Sequence, residues 1–187
     1  NFREESINFT KVFVKENSKN ELKKQGIYFT PKVIRAKLLD QITKFVKPNI
    51  NILEPAAGSG EFLNDINLLY GSVPLNIDAI ELNTDLYNII SDIPNVNSMN
   101  EDFLLHNLNK EYELIVGNPP FFEVSRQSDY FELFEKEQEK EWFFHRTNIY
   151  SLFILKCIEL LKPKGVLAFV LPPSWMSGYY FEKVREA

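Results

Sequence analysis

Three carboxylates, a glycine turn and an asparagine–proline corner all fall at one kind of place in this sequence, the point where an apolar run ends. Glu54 leads into Pro55-Ala-Ala-Gly-Ser-Gly60, and Glu81 closes the run Leu75–Ile80. Asp102 and Phe103 follow a short run near Val96, Asn118-Pro-Pro-Phe121 follows Tyr112–Gly117, and Pro172-Pro-Ser-Trp175 follows Val166–Leu171. Gly58 and Gly60 lack a Cβ, so the turn can adopt φ > 0 and let a ligand approach the backbone at the start of the next helix. A turn of this kind on its own is as readily a bare strand-to-helix connection. Glu81, 21 residues beyond Gly60, adds an acceptor-only carboxylate at the offset that suits both hydroxyls of a ribose.

The turn departs from the Gly-x-Gly-x-x-Gly pyrophosphate pattern, and Glu54 would repel a pyrophosphate while attracting an ammonium. S-adenosylmethionine, with an α-amino group, a ribose and no phosphate, fits both constraints. At the corner, Asn118 precedes a proline and is pushed to an extended backbone, while Pro119 and Pro120 fix two φ angles and offer carbonyls but no N–H. The Asn118 amide oxygen and the Pro119 carbonyl can accept both hydrogens of one planar –NH2, with Phe121 beside them as a stacking face. Standing alone, Asn-Pro-Pro more often just ends a strand. Here it shares a sheet edge with the nucleoside features.

The elements that must position these residues alternate. Thr30 as N-cap and Pro31 as first helical residue open a helix to about Val46, with Ile34, Leu38, Ile42 and Phe45 at helical spacing. Strands are expected at 51–54, 75–80, near 96, at 112–117 and at 166–171, the last continuously buried, with helices at 61–70, 85–90 and 149–161. This pattern means an α/β fold, a mostly parallel sheet with helices on both faces, whose ligands bind beyond the strand carboxyl ends. The run Ser125–Lys140 reads as a charged excursion, a solvated helix with a buried aromatic face. Residues 1–25 read as a polar arm and 26–187 as one domain.

Composition narrows the class. The chain has 187 residues, 44% of them hydrophobic, enough for a real core. No apolar run reaches the ~18 residues that span a bilayer, and no signal-peptide core opens the chain, so no membrane is expected. A net charge of −5 excludes a basic nucleic-acid clamp built from this segment as a whole. A single cysteine, Cys157, excludes a disulfide framework and a Cys-rich metal site; it reads as a buried thiol in a reducing, cytoplasmic setting, and no metal is expected. The chain begins without Met and stops in what reads as a helix, so it is expected to be part of a longer protein.

Taken in order, these blocks resemble the γ-class N6-adenine DNA methyltransferases of type I and II restriction–modification systems. The resemblance runs from about Gly26 to Trp175. It is carried by Gly26-Ile-Tyr-Phe-Thr-Pro31, Leu53-Glu-Pro-Ala-Ala-Gly-Ser-Gly60, Ile80-Glu81, Asp102-Phe-Leu-Leu105, Val116-Gly-Asn-Pro-Pro-Phe121, Asn148-Ile-Tyr150 and the run Leu160–Pro172. It implies a Rossmann-like S-adenosylmethionine-dependent methyltransferase fold, truncated here before its last strands. Tyr28, Phe29, Thr30 and Pro31 would close over the methionine moiety, Glu54 and the turn Ala56 to Gly60 would hold its amino-acid end, Glu81 the ribose, and Asp102 with Phe103 the cofactor adenine. Asn118, Pro119, Pro120 and Phe121 would take the target adenine.

The resemblance further implies double-stranded DNA as partner, read by a target-recognition region beyond Ala187, and a fused or separately encoded endonuclease. Phe121 stands where tyrosine is common in the family, which keeps the stacking face. Phe122 is expected to pack beneath the corner, and His106, His145 and Arg146 receive no role. Protein-glutamine and RNA-adenine methyltransferases use a similar Asn-Pro-Pro-aromatic corner, and a non-catalytic subunit would keep the fold without turnover; these readings stay open.

Overall fold

The computed structural model describes residues 29–125, 127–133, 135 and 148–177. Tyr28, the expected arm and much of the charged excursion lie outside the described residues. Five segments form strands: β1 (Asn51–Glu54), β2 (Asn76–Ile80), β3 (Val96–Met99), β4 (Tyr112–Gly117) and β5 (Leu161–Phe169). All pair in parallel, in the order β3-β2-β1-β4-β5. The chain enters at the centre, walks out to β3 and returns to lay β4 on the other side of β1, so the switch in strand order lies between β1 and β4.

The strands are accompanied by helices α1 (Lys32–Ile42), α2 (Glu61–Tyr70), α3 (Thr84–Ile90), α4 (Ile149–Leu160) and the single turn α5 (Ser174–Ser177), with a 3-10 turn at Thr43–Phe45 after α1. The period-two alternation of the strands sorts their side chains into two cores. Ile52, Ala79, Leu114 and Val116 join Leu39 of α1, Leu63 of α2 and Ile90 of α3 on one face. Leu53, Ile80 and Ile115 join Ile149, Phe153 and Cys157 of α4 on the other. Cys157 is wholly buried there, and burial pushes its thiol up, as its place in an apolar helix predicts.

Two expectations are corrected. Helix α1 starts at Lys32, not Pro31. Pro31 keeps an extended ψ of 141° and serves as N-cap, with Thr30 buried before it and making no capping bond; the Pro31 carbonyl accepts the N–H groups of Ile34 and Arg35 instead. Strand β5 is not continuously buried. It begins at Leu161, skips register between Tyr112↔Leu161 and Leu114↔Val166, and among the described residues pairs with β4 alone, so its apolar residues stay half-exposed. No helix among the described residues is long and apolar enough to cross a membrane.

Candidate cofactor and target-base site

The glycine turn sits at the carboxyl end of β1 and is tied to the end of β2. Ala57 N–H donates to the Ile80 carbonyl at 2.9 Å, and Gly58 N–H to Glu81 Oε2 at 2.7 Å. The other Glu81 oxygen accepts Asn83 N–H at 2.8 Å, which fixes the carboxylate at both ends while each oxygen keeps a lone pair. Burial raises the Glu81 pKa against the pull of those backbone donors. The two turn glycines differ in purpose. Gly60 caps α2 at φ 75°, and a Cβ there would lie 2.5 Å from Ile93 Cδ1, so the fold itself requires it. Gly58, at φ 56°, would meet nothing within 4 Å, yet it borders the open space of the site.

That space is a cavity of about 500 Å³ beyond the strand ends, bordered by Phe29, Gly58, Glu81, Asp102, Phe103 and Asn118. A smaller recess of about 40 Å³ continues it towards Thr30, Glu54 and Ser59. Phe29 and Asn118 border both. Glu54 is only 2% exposed, and its Oε2 is buried with no hydrogen-bond partner. Burial, followed by the charges of Glu81 and Glu61, holds its carboxyl well above the ordinary value, while Arg35 pulls the other way. A buried acceptor facing a recess fits a cationic donor such as an ammonium.

At the end of β3, Asp102 caps its own turn: Oδ1 accepts Leu104 N–H at 2.9 Å and the backbone carbonyl accepts His106 N–H at 2.8 Å. Lys156 of α4 braces the same turn from beneath. Its Nζ donates to the carbonyls of Phe103, Leu104 and His106 and stands 5.0 Å from the Phe103 ring centroid. Phe103 is buried against Phe153, with centroids 5.0 Å apart.

The corner after β4 presents two phenylalanines to two different places. Phe121 meets Tyr150 edge-on at 5.8 Å, and Tyr150 meets Trp175 edge-on at 5.9 Å, a row that runs outside the cavity. Burial pushes Tyr150 up to about 12, against its hydrogen bond with Ser174. Phe122, expected beneath the corner, instead borders the cavity and packs on Tyr130. Alternate side chains of an extended segment point opposite ways, which separates the two rings.

The structure therefore brings Phe29, Thr30, Glu54, Ala56, Gly58, Glu81, Asp102, Phe103, Asn118 and Pro120 to the two connected spaces. Pro31 is exposed, Pro119 and Gly60 are buried, and none of the three borders either space; Tyr28 lies outside the described residues. Sequence reasoning missed Phe122, Tyr130, Lys156 and Arg35. Residues 34–187 match the Eco57I restriction-modification methylase family. The chain belongs to that family.

Individual relatives and solved structures show what else the chain is similar to. It is 36% identical over 189 residues to modification methylase CviBIII of Paramecium bursaria Chlorella virus NC1A, covering 98% of this chain and 47% of that protein. It is 30% identical over 181 residues to the type II methyltransferase M.CvrRI of Paramecium bursaria Chlorella virus XZ-6E, covering 96% and 44%. The chain thus spans less than half the length of these relatives. Among solved structures, a Listeria monocytogenes chain described as a class I S-adenosylmethionine-dependent methyltransferase superposes with TM-score 0.67 at 23% identity, covering 84% of this chain and 50% of that one. The S-adenosylmethionine-dependent O-methyltransferase TM0748 of Thermotoga maritima gives 0.59 at 17%, covering 84% and 51%. The chain has the fold of the S-adenosylmethionine-dependent, Rossmann-like methyltransferases.

Proposed function

We propose that the protein transfers a methyl group from S-adenosylmethionine to the exocyclic N6 amine of an adenine flipped out of duplex DNA, as the modification arm of a restriction–modification system. The observation that carries this reading is the place of Asn118, which borders both the large cavity and the recess of Glu54 from the rigid corner after β4. Membership of a restriction-modification methylase family supports methyl transfer as the chemistry. The unpartnered Glu54 Oε2 supports a cofactor with an ammonium end. In this reading residues 26–187 form the catalytic domain, and an arm, 1–25, precedes it. Phe29 and Thr30 close the amino-acid end with Pro31 backing them from outside the recess, the turn Ala56 to Ser59, set by Gly60, holds it, Glu81 takes the ribose, and Asp102 with Phe103 takes the adenine.

The bound cofactor supplies a methyl group on a positively charged sulfur. Everything else falls to the chain. An aromatic amine is a poor nucleophile because its lone pair is spread into the ring. The Asn118 amide oxygen and the Pro119 carbonyl accept its two hydrogens and draw the nitrogen towards tetrahedral geometry, so charge builds where the acceptors can stabilise it. Pro119 and Pro120 hold these acceptors without reorganisation, because their φ angles are fixed. Phe121, braced by Tyr150 and Trp175, gives the flipped base a stacking face worth about 1–3 kcal/mol. No covalent intermediate on the protein is required. With a net charge of −5, the chain leaves most phosphate contacts to a target-recognition region outside it, with an endonuclease fused or separate.

The test is to incubate the intact protein with methyl-labelled S-adenosylmethionine and, separately, DNA, RNA and protein. Label is expected in DNA, recovered as N6-methyladenine after digestion. Asn118→Ala is expected to lower kcat by about two orders of magnitude with a smaller effect on cofactor affinity. Label confined to RNA or protein, or DNA labelling that survives Asn118→Ala, would overturn the reading.

A further inference from the structure

Tyr130 lies 12 residues past Asn118, in the excursion that the sequence reads as solvated, yet it returns to border the cavity. Its hydroxyl donates to Asp102 Oδ2 at 2.7 Å. Because the Leu104 N–H already holds Oδ1 at 2.9 Å, the carboxylate is pinned at both oxygens, and each keeps a lone pair for one further donor. Burial, and then the bond to Asp102, raise the Tyr130 pKa far from neutrality, so the phenol remains a donor throughout the working range. Beside it, Phe122 packs at 6.4 Å and 46°. The Phe122 backbone is itself fixed, since its carbonyl accepts the Ile149 N–H at 2.9 Å.

A pinned carboxylate flanked by aromatic rings complements a flat heterocycle with an exocyclic –NH2. It disfavours the same ring with a carbonyl there, which would set acceptor against acceptor. If Asp102 could rotate freely, it would turn aside from such a carbonyl, and the discrimination would shrink.

We propose that Tyr130 makes the cofactor site selective for a 6-aminopurine, by orienting Asp102 through its hydroxyl while Phe122 walls the ring. The proposal rests on reading the cavity as the site of the adenosyl group. Tyr130 is thus a positioning residue towards Asp102, and the Phe122 ring is a packing surface for the base.

The experiment measures calorimetric Kd values of the intact protein for S-adenosylhomocysteine and for its 6-oxo counterpart, S-inosylhomocysteine. The parent protein is expected to prefer the amino form by more than about tenfold. Tyr130→Phe is expected to weaken the amino form by about tenfold, leave the 6-oxo form nearly unchanged, and so erase most of the preference. Phe122→Leu, which keeps the Tyr130–Asp102 bond, is expected to weaken both ligands by similar factors and keep the preference. A Tyr130→Phe protein that loses both ligands equally, or neither, would show Tyr130 to be merely structural and overturn the proposal. If the parent binds neither ligand, the adenosyl reading falls and takes this proposal with it.

Discussion

Glu54 is a carboxylate placed where its charge is hard to carry. Its Oε2 has no hydrogen-bond partner, and burial, then Glu81 and Glu61, hold its pKa well above the ordinary 4.5. The native state therefore binds this proton more tightly than the unfolded chain does. The stability tied to Glu54 is complete below about pH 4.5 and is lost as pH rises through the raised folded value. Glu54→Gln removes that loss, so without ligand the variant is expected to melt above the parent at about pH 8, with the gap closing towards about pH 4. An ammonium at Oε2 reverses the preference, because it stabilises the ionised form. Cofactor binding should then expel the Glu54 proton, seen as calorimetric heats that depend on the ionisation enthalpy of the buffer. In Glu54→Gln that dependence should vanish and affinity should fall by about 2 kcal/mol, roughly thirtyfold in Kd. Coincident melting curves at alkaline pH, together with buffer-independent heats in the parent, would contradict this account.

At the scale of elements, α1 and α2 are joined by Arg35 rather than by apolar packing alone. The guanidinium is buried and forks: Nε donates to Asp65 Oδ2 at 2.7 Å, and Nη1 donates to Glu61 Oε2 at 3.0 Å and to the Thr30 carbonyl. Glu61 and Asp65 lie one turn apart on the helix that the glycine turn launches, and Thr30 borders the recess of Glu54. One side chain thus latches the entry segment to the turn. Arg35→Met leaves two carboxylates without their cation and is expected to cost about 3 kcal/mol, measured by denaturant melts. Arg35→Lys should recover only part of this, because an ammonium cannot reproduce the fork. A variant as stable as the parent would exclude the latch. Glu54 and Glu81 were legible in the sequence because each is a polar residue at the end of an apolar strand, and Asp102 because it follows the third strand closely; strand ends in a parallel sheet converge. Arg35, Lys156 and Tyr130 were not. Each sits in a helix or charged run where a cation or phenol ordinarily faces water, and periodicity reports which face is buried, not which carboxylate 26 or 30 residues away waits there. Phe122 was misplaced for a related reason: two adjacent phenylalanines must part company, and the sequence does not say which takes the cavity.

For the molecule as a whole, the parallel pairing and the helices on both faces of the sheet followed from strand–helix alternation, while the strand order and the exposure of β5 did not. A run as apolar as Val166-Leu-Ala-Phe169 reads as central, yet among the described residues it has one neighbour. Unpaired edges of that composition recruit other strands. Produced as this 187-residue segment, the chain is expected to associate with rising concentration in sedimentation or light scattering, and amide exchange along β5 should slow in step. A monomer with concentration-independent exchange would refute that. The opposite margin of the site follows another logic. Glu123 bridges Asn148, and the Phe122 carbonyl takes the Ile149 N–H, so the excursion leaves and rejoins the fold at one neck. Doubling a loop whose ends already meet costs only about 0.6 kcal/mol. Changes of length past Leu133, beyond the Tyr130 that returns to the cavity, are therefore expected to be absorbed at that neck without moving a strand.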